Sequence, residues 1–179
     1  PVKASQFFSG VKEGGTAIMR INKSTISFSK LQFTANKLLS NIDVDVEVVN
    51  SSGIDVQFFG IAYQYVRVTT TLTSLDVSST GVDFKVAREW LPDGVAPAAV
   101  ALYRYSSGSW DKMETALVSD DAAYYYYSAV VPAFSVFAVG VEVPAPKQVN
   151  PVMNKTAPFV TAAVNQAMNI SVPELPPVK

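Results

Sequence analysis

Ile42-Asp43-Val44-Asp45-Val46-Glu47-Val48 is the stretch on which the fold class turns. Branched apolar residues hold every even position and acids every odd one. A period of two belongs to a strand with one face buried and the other in water. A helix would scatter the same residues around its circumference and leave no common apolar stripe. The pattern recurs on both sides. Upstream, Ile18 and Arg20 with their neighbours, then residues 25–33, read as two strands joined by a turn at Asn22-Lys23-Ser24. Downstream, residues 63–69 are aromatic and β-branched, as strands prefer. Val82, Phe84 and Val86 alternate with Asp83 and Lys85, and further strands are expected over 99–105, 110–116, 124–130 and 134–143.

Turn-forming clusters punctuate these runs: Gly14-Gly15, Asn50-Ser51-Ser52-Gly53, Ser78-Ser79-Thr80-Gly81, Pro92-Asp93-Gly94 and Ser106-Ser107-Gly108. Many short strands at this spacing predict an all-β domain over residues 1–143, a β-sandwich of jelly-roll-like type. Short helical stretches are expected only at 34–39 and 88–91. From Pro144 the composition changes, and seven of the 11 prolines fall from there onward. Residues 144–179 read as a Pro-rich, extended linker and a C-terminal arm. Within the arm Val160, Ala162, Val164, Met168, Ile170 and Val172 share one face at period two, interrupted by Gln166, whereas Val160, Val164, Ala167 and Met168 make a stripe at helical spacing. Both readings stay open. An extended arm with one apolar face can add a strand to a neighbour's open sheet edge, or fold back on its own domain.

Composition narrows the chemistry. The 179 residues are 49% apolar and 16% charged, against about 25% charged in an average soluble domain. No apolar run approaches the roughly 18–20 residues needed to span a bilayer. The apolar excess therefore belongs to a large core, to subunit contacts, or to both. A net charge of −1 with scattered Lys and Arg argues against a nucleic-acid partner. There is no cysteine and no histidine. Disulfides, thiolate chemistry, the Ser-His-Asp arrangement and the commonest transition-metal ligand are thereby excluded. Pro1 at the start, with no signal-peptide pattern, predicts a processed form or a fragment of a secreted precursor. Four Asn-X-Ser/Thr sequons, at Asn22, Asn50, Asn154 and Asn169, make N-linked glycans expected partners and an extracellular location the expected one.

The order of motifs in the second half resembles a known module. Tyr63-Gln64-Tyr65-Val66 is followed by a strand ending Trp90-Leu91, then Tyr103-Arg104-Tyr105, Trp110, the tyrosine-rich strand from Tyr124 and a closing Pro132-Ala133-Phe134-Ser135. This series is similar to the PGF-pre-PGF domain of secreted archaeal surface proteins. With a less distinctive first half from Val11, the resemblance covers about three quarters of the chain. It implies β structure, an archaeal cell-surface location and no established catalytic residues. Two departures stand out. The family's Pro-Gly-Phe is Pro132-Ala133-Phe134 here, which questions any positive φ at that position. The chain also runs on for about forty residues without a hydrophobic anchor, where an assembling arm is the natural substitute for a membrane tether.

Individual candidates divide between structure and function. Tyr124-Tyr125-Tyr126-Tyr127 would send alternate rings outward as a sugar platform, or pack them under a loop. No cofactor is expected, and Asp120 and Asp121, with backbone carbonyls, are read as a plain solvated turn, with a hard cation such as Ca²⁺ as the alternative. Asp43, Asp45 and Glu47 repel one another unless a cation or Lys and Arg on the next strand relieve them. Arg104 is expected in an ion pair or on a ring, and Trp90 and Trp110 in the core. No catalytic constellation emerges, so the chain is expected not to be an enzyme. The expected role is a structural subunit of an archaeal filament, sheath or surface layer. It would pair with copies of itself through strand edges and apolar contacts, with the arm inserted into a neighbour. A carbohydrate-binding or adhesion module is the alternative.

Overall fold

Alternating sequence becomes paired strands because each strand alone leaves its backbone groups unsatisfied and its apolar face wet. The computed structural model describes residues 2–142, and in it these strands form two antiparallel sheets. In chain order they are β1 (Lys3–Val11), β2 (Thr16–Arg20), β3 (Phe28–Ala35), β4 (Leu39–Val49), β5 (Gly60–Thr70), β6 (Val77–Ala87), β7 (Ala101–Ser106), β8 (Ser109–Lys112), β9 (Glu114–Asp120), β10 (Tyr124–Val131) and β11 (Val136–Glu142). The larger sheet has the order β1-β4-β5-β11-β7-β8 and the smaller β2-β3-β6-β10-β9. This is the expected all-β sandwich. The linker and arm, with Val160, Val164, Met168, Ile170 and Val172, lie outside the described residues.

The inner faces meet in one core. Ile42, Val44 and Val46 of β4 turn inward as their alternation requires, and Val66 and Val68 of β5 join them. From the opposite sheet come Phe28, Leu31 and Phe33 of β3, Val82, Phe84 and Val86 of β6, and Tyr127 of β10. Aromatic pairs tie the layers: Phe28 meets Phe137 edge-on with centroids 5.8 Å apart, and Phe8 meets Phe33 at 5.6 Å. Gln64 bridges the sheets differently. Its Oε1 accepts the Ser27 N–H at 2.7 Å and its Nε2 donates to the Thr25 carbonyl at 2.9 Å.

Several local expectations are corrected. Residues 34–39 form no helix: Phe33 and Ala35 continue inward at period two, and Asn36 makes the corner. The Asn36 N–H donates to the Asp76 carbonyl at 2.8 Å and its side chain to the Val77 carbonyl at 3.1 Å, so tertiary bonds override helical propensity. Ser78-Ser79-Thr80-Gly81 is not a turn but the start of β6, paired to β3 and, from Thr80 onward, to β10 as well. The reversal falls instead at Thr73 and Asp76, where the Asp76 carboxylate accepts both the N–H and the hydroxyl of Thr73. The strand expected over 110–116 breaks at Met113, because β8 belongs to one sheet and β9 to the other. Residues 25–27 belong to the β2–β3 loop, and β3 starts at Phe28. The strand β1 was not expected, since the adjacent Phe7 and Phe8 blur its alternation. The stretch 88–91 does hold a short 3₁₀ turn, Arg88–Trp90.

Candidate functional site

Outward-facing side chains on a sandwich are set by strand register, so each outer sheet face reads as a grid. On the larger sheet Asp43, Asp45 and Glu47 of β4 form the predicted acidic row. Its relief comes from the neighbouring strands: Lys3 of β1 lies 3.1 Å from Asp45, and Arg67 of β5 lies 3.7 Å from Glu47. The Ser5 hydroxyl and then Lys3 hold the Asp45 carboxyl below its ordinary range. Asp45 and Glu47 thus stand in surface ion pairs, while Asp43 makes none among the described residues.

Further across the same face lies a second, smaller apolar cluster. The β4–β5 connection folds back so that Phe58 is buried against Ala101, Tyr103 and Ala138. Its ring sits 4.5 Å from that of Tyr103 and 5.8 Å from that of Trp110, and the Trp110 indole N–H donates to the Val56 carbonyl at 2.8 Å. Gly60 and Gly140 are required here, because a Cβ on either would collide with backbone carbonyls and the Phe58 ring. Trp110 is therefore not in the core between the sheets, as the sequence led one to expect, but pins a loop onto the outer face. Trp90 borders the main core through Tyr63, at 5.1 Å.

Turn signals around the closing motif also find their partners. The Arg104 guanidinium donates through Nε to the Ala133 carbonyl at 2.9 Å, and the Ser135 hydroxyl donates to the Tyr105 carbonyl at 2.7 Å. Arg104 makes neither the ion pair nor the ring stack expected of it among the described residues. Ala133 is not among the residues with positive φ, so alanine fits this turn without strain.

The outer face of the smaller sheet is different. Tyr125 and Tyr127 of β10 point inward, Tyr127 stacking on Phe84 at 5.0 Å, while Tyr124 and Tyr126 point outward with centroids 6.3 Å apart. Lys85 of β6 lies 4.5 Å over the Tyr124 ring. Cross-strand register sets Arg20 opposite Lys30, Lys30 opposite Asp83, and Lys85 opposite Tyr126. Lys30 and Asp83 pair at 2.6 Å. With the β2–β3 loop as a rim, these residues line an open groove of about 500 Å³.

Asp120 and Asp121 stand near Tyr126 but do not converge on an empty centre. Asp120 pairs with Arg88, whose guanidinium also lies 4.3 Å over the Tyr125 ring. Asp121 closes the β9–β10 turn: one oxygen accepts the N–H groups of Ala123 and Tyr124, each at 2.8 Å, and the other accepts the Tyr126 hydroxyl at 2.6 Å. The Tyr126 bond, then the two amides, hold its carboxyl below the ordinary range. Both acids already have protein partners, and among the described residues no group of three or more acids gathers to hold a metal.

Of the sequons, Asn22 and Asn50 are exposed on loops at one end of the sandwich, and Asn50 Oδ1 accepts the Ser52 hydroxyl at 2.6 Å. Asn154 and Asn169 lie outside the described residues. No helix among the described residues is long and apolar enough to cross a membrane. Comparison with protein-family models, with curated proteins and with solved structures finds no match to this chain. The groove was the feature that sequence reasoning missed. Its residues come from four strands and a loop, and only the alternation of Asp83 and Lys85 hinted at an outward charged row.

Proposed function

We propose that the chain is a structural subunit of an extracellular assembly at an archaeal cell surface: a filament, sheath or surface layer. The observation that carries this reading is a pair of long, open sheet edges. Among the described residues β1 and β9 each hydrogen-bond to a strand on one side only, and they close opposite flanks of the sandwich. Both expose apolar side chains, Phe7 on β1 and Leu117 and Val118 on β9, the last 65% exposed. Long apolar edges are templates for pairing with another chain unless something covers them. Two unlike edges on opposite flanks suit a head-to-tail contact, which propagates when its rotation does not close. The sequons at Asn22 and Asn50, the sequence resemblance and the apolar periodicity in the sequence of residues 160–172 support the same reading. In it, the arm of one subunit pairs with an edge of the next, N-linked glycans sit on the exposed end, and the chain has no catalytic role.

Light scattering and negative-stain imaging of the full chain and of a version ending at residue 143 test this directly. Large regular particles from the full chain, with a monomeric shorter form, are the expected result. Monomers from both would end the assembly reading and leave a monomeric surface module.

A further inference from the structure

The groove on the smaller sheet has a charge balance unlike the rest of the chain. Arg20, Lys23, Lys30 and Lys85 line it against a single acid, Asp83. It thus carries three net positive charges on a chain whose total is −1, and everything outside it sums to −4. Folding, not composition, concentrates this charge. Register stacks Arg20 directly opposite Lys30, a like-charge pair that costs stability. Asp83 neutralises Lys30 at 2.6 Å and is itself held by the Ser128 hydroxyl at 2.8 Å. Neither Arg20 nor Lys85 has a carboxylate within ion-pair distance among the described residues. The nearby acids Asp120 and Asp121 are taken up by Arg88 and the turn.

Rings stand beside these cations. Tyr126 lines the groove and is held by its bond to Asp121, while Tyr124 stands next to it under Lys85. Ile21, Asn22, Ser24 and Ser29 complete the lining. From β2 to β10 the groove crosses three strand spacings, roughly 14 Å. It is a shallow, open track and not an enclosed pocket.

We infer that this groove binds an acidic polysaccharide, a polymer carrying carboxylates on its sugar rings. Arg20 and Lys85 meet the carboxylates, since a guanidinium matches a carboxylate in shape as well as charge. Tyr126 takes the apolar face of a sugar ring, its hydroxyl kept in place by Asp121. The polar rim serves sugar hydroxyls. An acidic polypeptide would meet the cations but leave the ring without a flat partner. A single nucleic-acid strand is held by successive bases stacking on several rings, and Tyr126 is the one aromatic side chain among the described residues that line the groove. The inference is independent of the assembly reading and holds for a monomer or a polymer.

The test is calorimetric titration of the full chain with oligogalacturonate, at low and at raised salt. Binding that weakens with salt is expected, as is a loss of at least about tenfold in the Arg20→Glu/Lys85→Glu double variant. Tyr126→Ala is expected to weaken binding several-fold and Tyr126→Phe to keep most of it, because the ring and not the hydroxyl meets the sugar. Where charge reversal impairs folding, Arg20→Gln/Lys85→Gln reads the same contacts. An Asn22→Gln form removes any glycan from the rim. No binding of oligogalacturonate, or binding indifferent to both double variants, overturns the proposal. Equal affinity for polyglutamate or neutral dextran, or tighter binding of single-stranded DNA, overturns it as well.

Discussion

Tyr103 and Tyr127 show how position divides one residue type into two kinds. Both are fully buried, and burial pushes each phenol up to about 12. The Glu142 carboxylate adds to the rise at Tyr103, and the Tyr127 hydroxyl donates to the Pro97 carbonyl at 2.9 Å. A folded pKa raised above the ordinary value of 10 means that the unfolded chain loses these protons first as pH rises. Their contribution to stability is whole below pH 10 and disappears as pH climbs through about 12. Urea midpoints followed from pH 8 upward should fall over that window, and Tyr127→Phe should soften the fall. Asp76 acts in the opposite direction. Lys37 and Thr73 hold its carboxyl down to about 2, so its contribution is present above the ordinary 3.8 and lost as pH drops through about 2. At this scale the sequence was partly legible. Alternation along Tyr124–Val131 foretold that half the tyrosines face out, but which pair faces the core depends on pairing with β6.

Single elements show where local chemistry and tertiary demand agree. Ser107-Gly108 joins β7 to β8 as a two-residue hairpin turn with φ of 51° and 81°, both in the left-handed region. Glycine takes that conformation freely, whereas serine is strained in it, and asparagine is the residue best suited to this first position. Ser107→Asn should raise stability by ~0.5–1 kcal/mol and Ser107→Val should lower it, both read from denaturant unfolding. Turn chemistry was legible here and at Gly14, where φ is 73°. It misled at Ser78 to Gly81, because β3 on one side, joined by β10 from Thr80 on the other, offers this backbone pairing whatever the side chains prefer. It misled again at residues 34–39, where Asn36 finds bonds to Asp76 and Val77 that a helix would forfeit.

At the scale of the whole sandwich, the described residues pack a core between two sheets, and among them β1 and β9 each pair on one side only. If assembly uses those flanks, charge placed on one should oppose it without touching the core. Leu117→Lys with Val118→Lys alters only exposed positions of β9. It should reduce particle size in light scattering while leaving the thermal midpoint within a few degrees of the parent. Unchanged particles would show that contacts lie elsewhere. The sequence by itself determined that the described chain is all-β, roughly where its strands lie, and which chemistries a chain without cysteine or histidine excludes. These are matters of period and inventory, which neighbouring residues carry between them. Only the tertiary structure decided that Trp110 anchors a loop on an outer face, that Asp120 and Asp121 answer to Arg88 and a turn, and that Arg20, Lys30, Lys85 and Tyr126 share one groove. The reason is physical: strand order and register bring together residues up to about a hundred positions apart, and no local pattern encodes which strands will be neighbours.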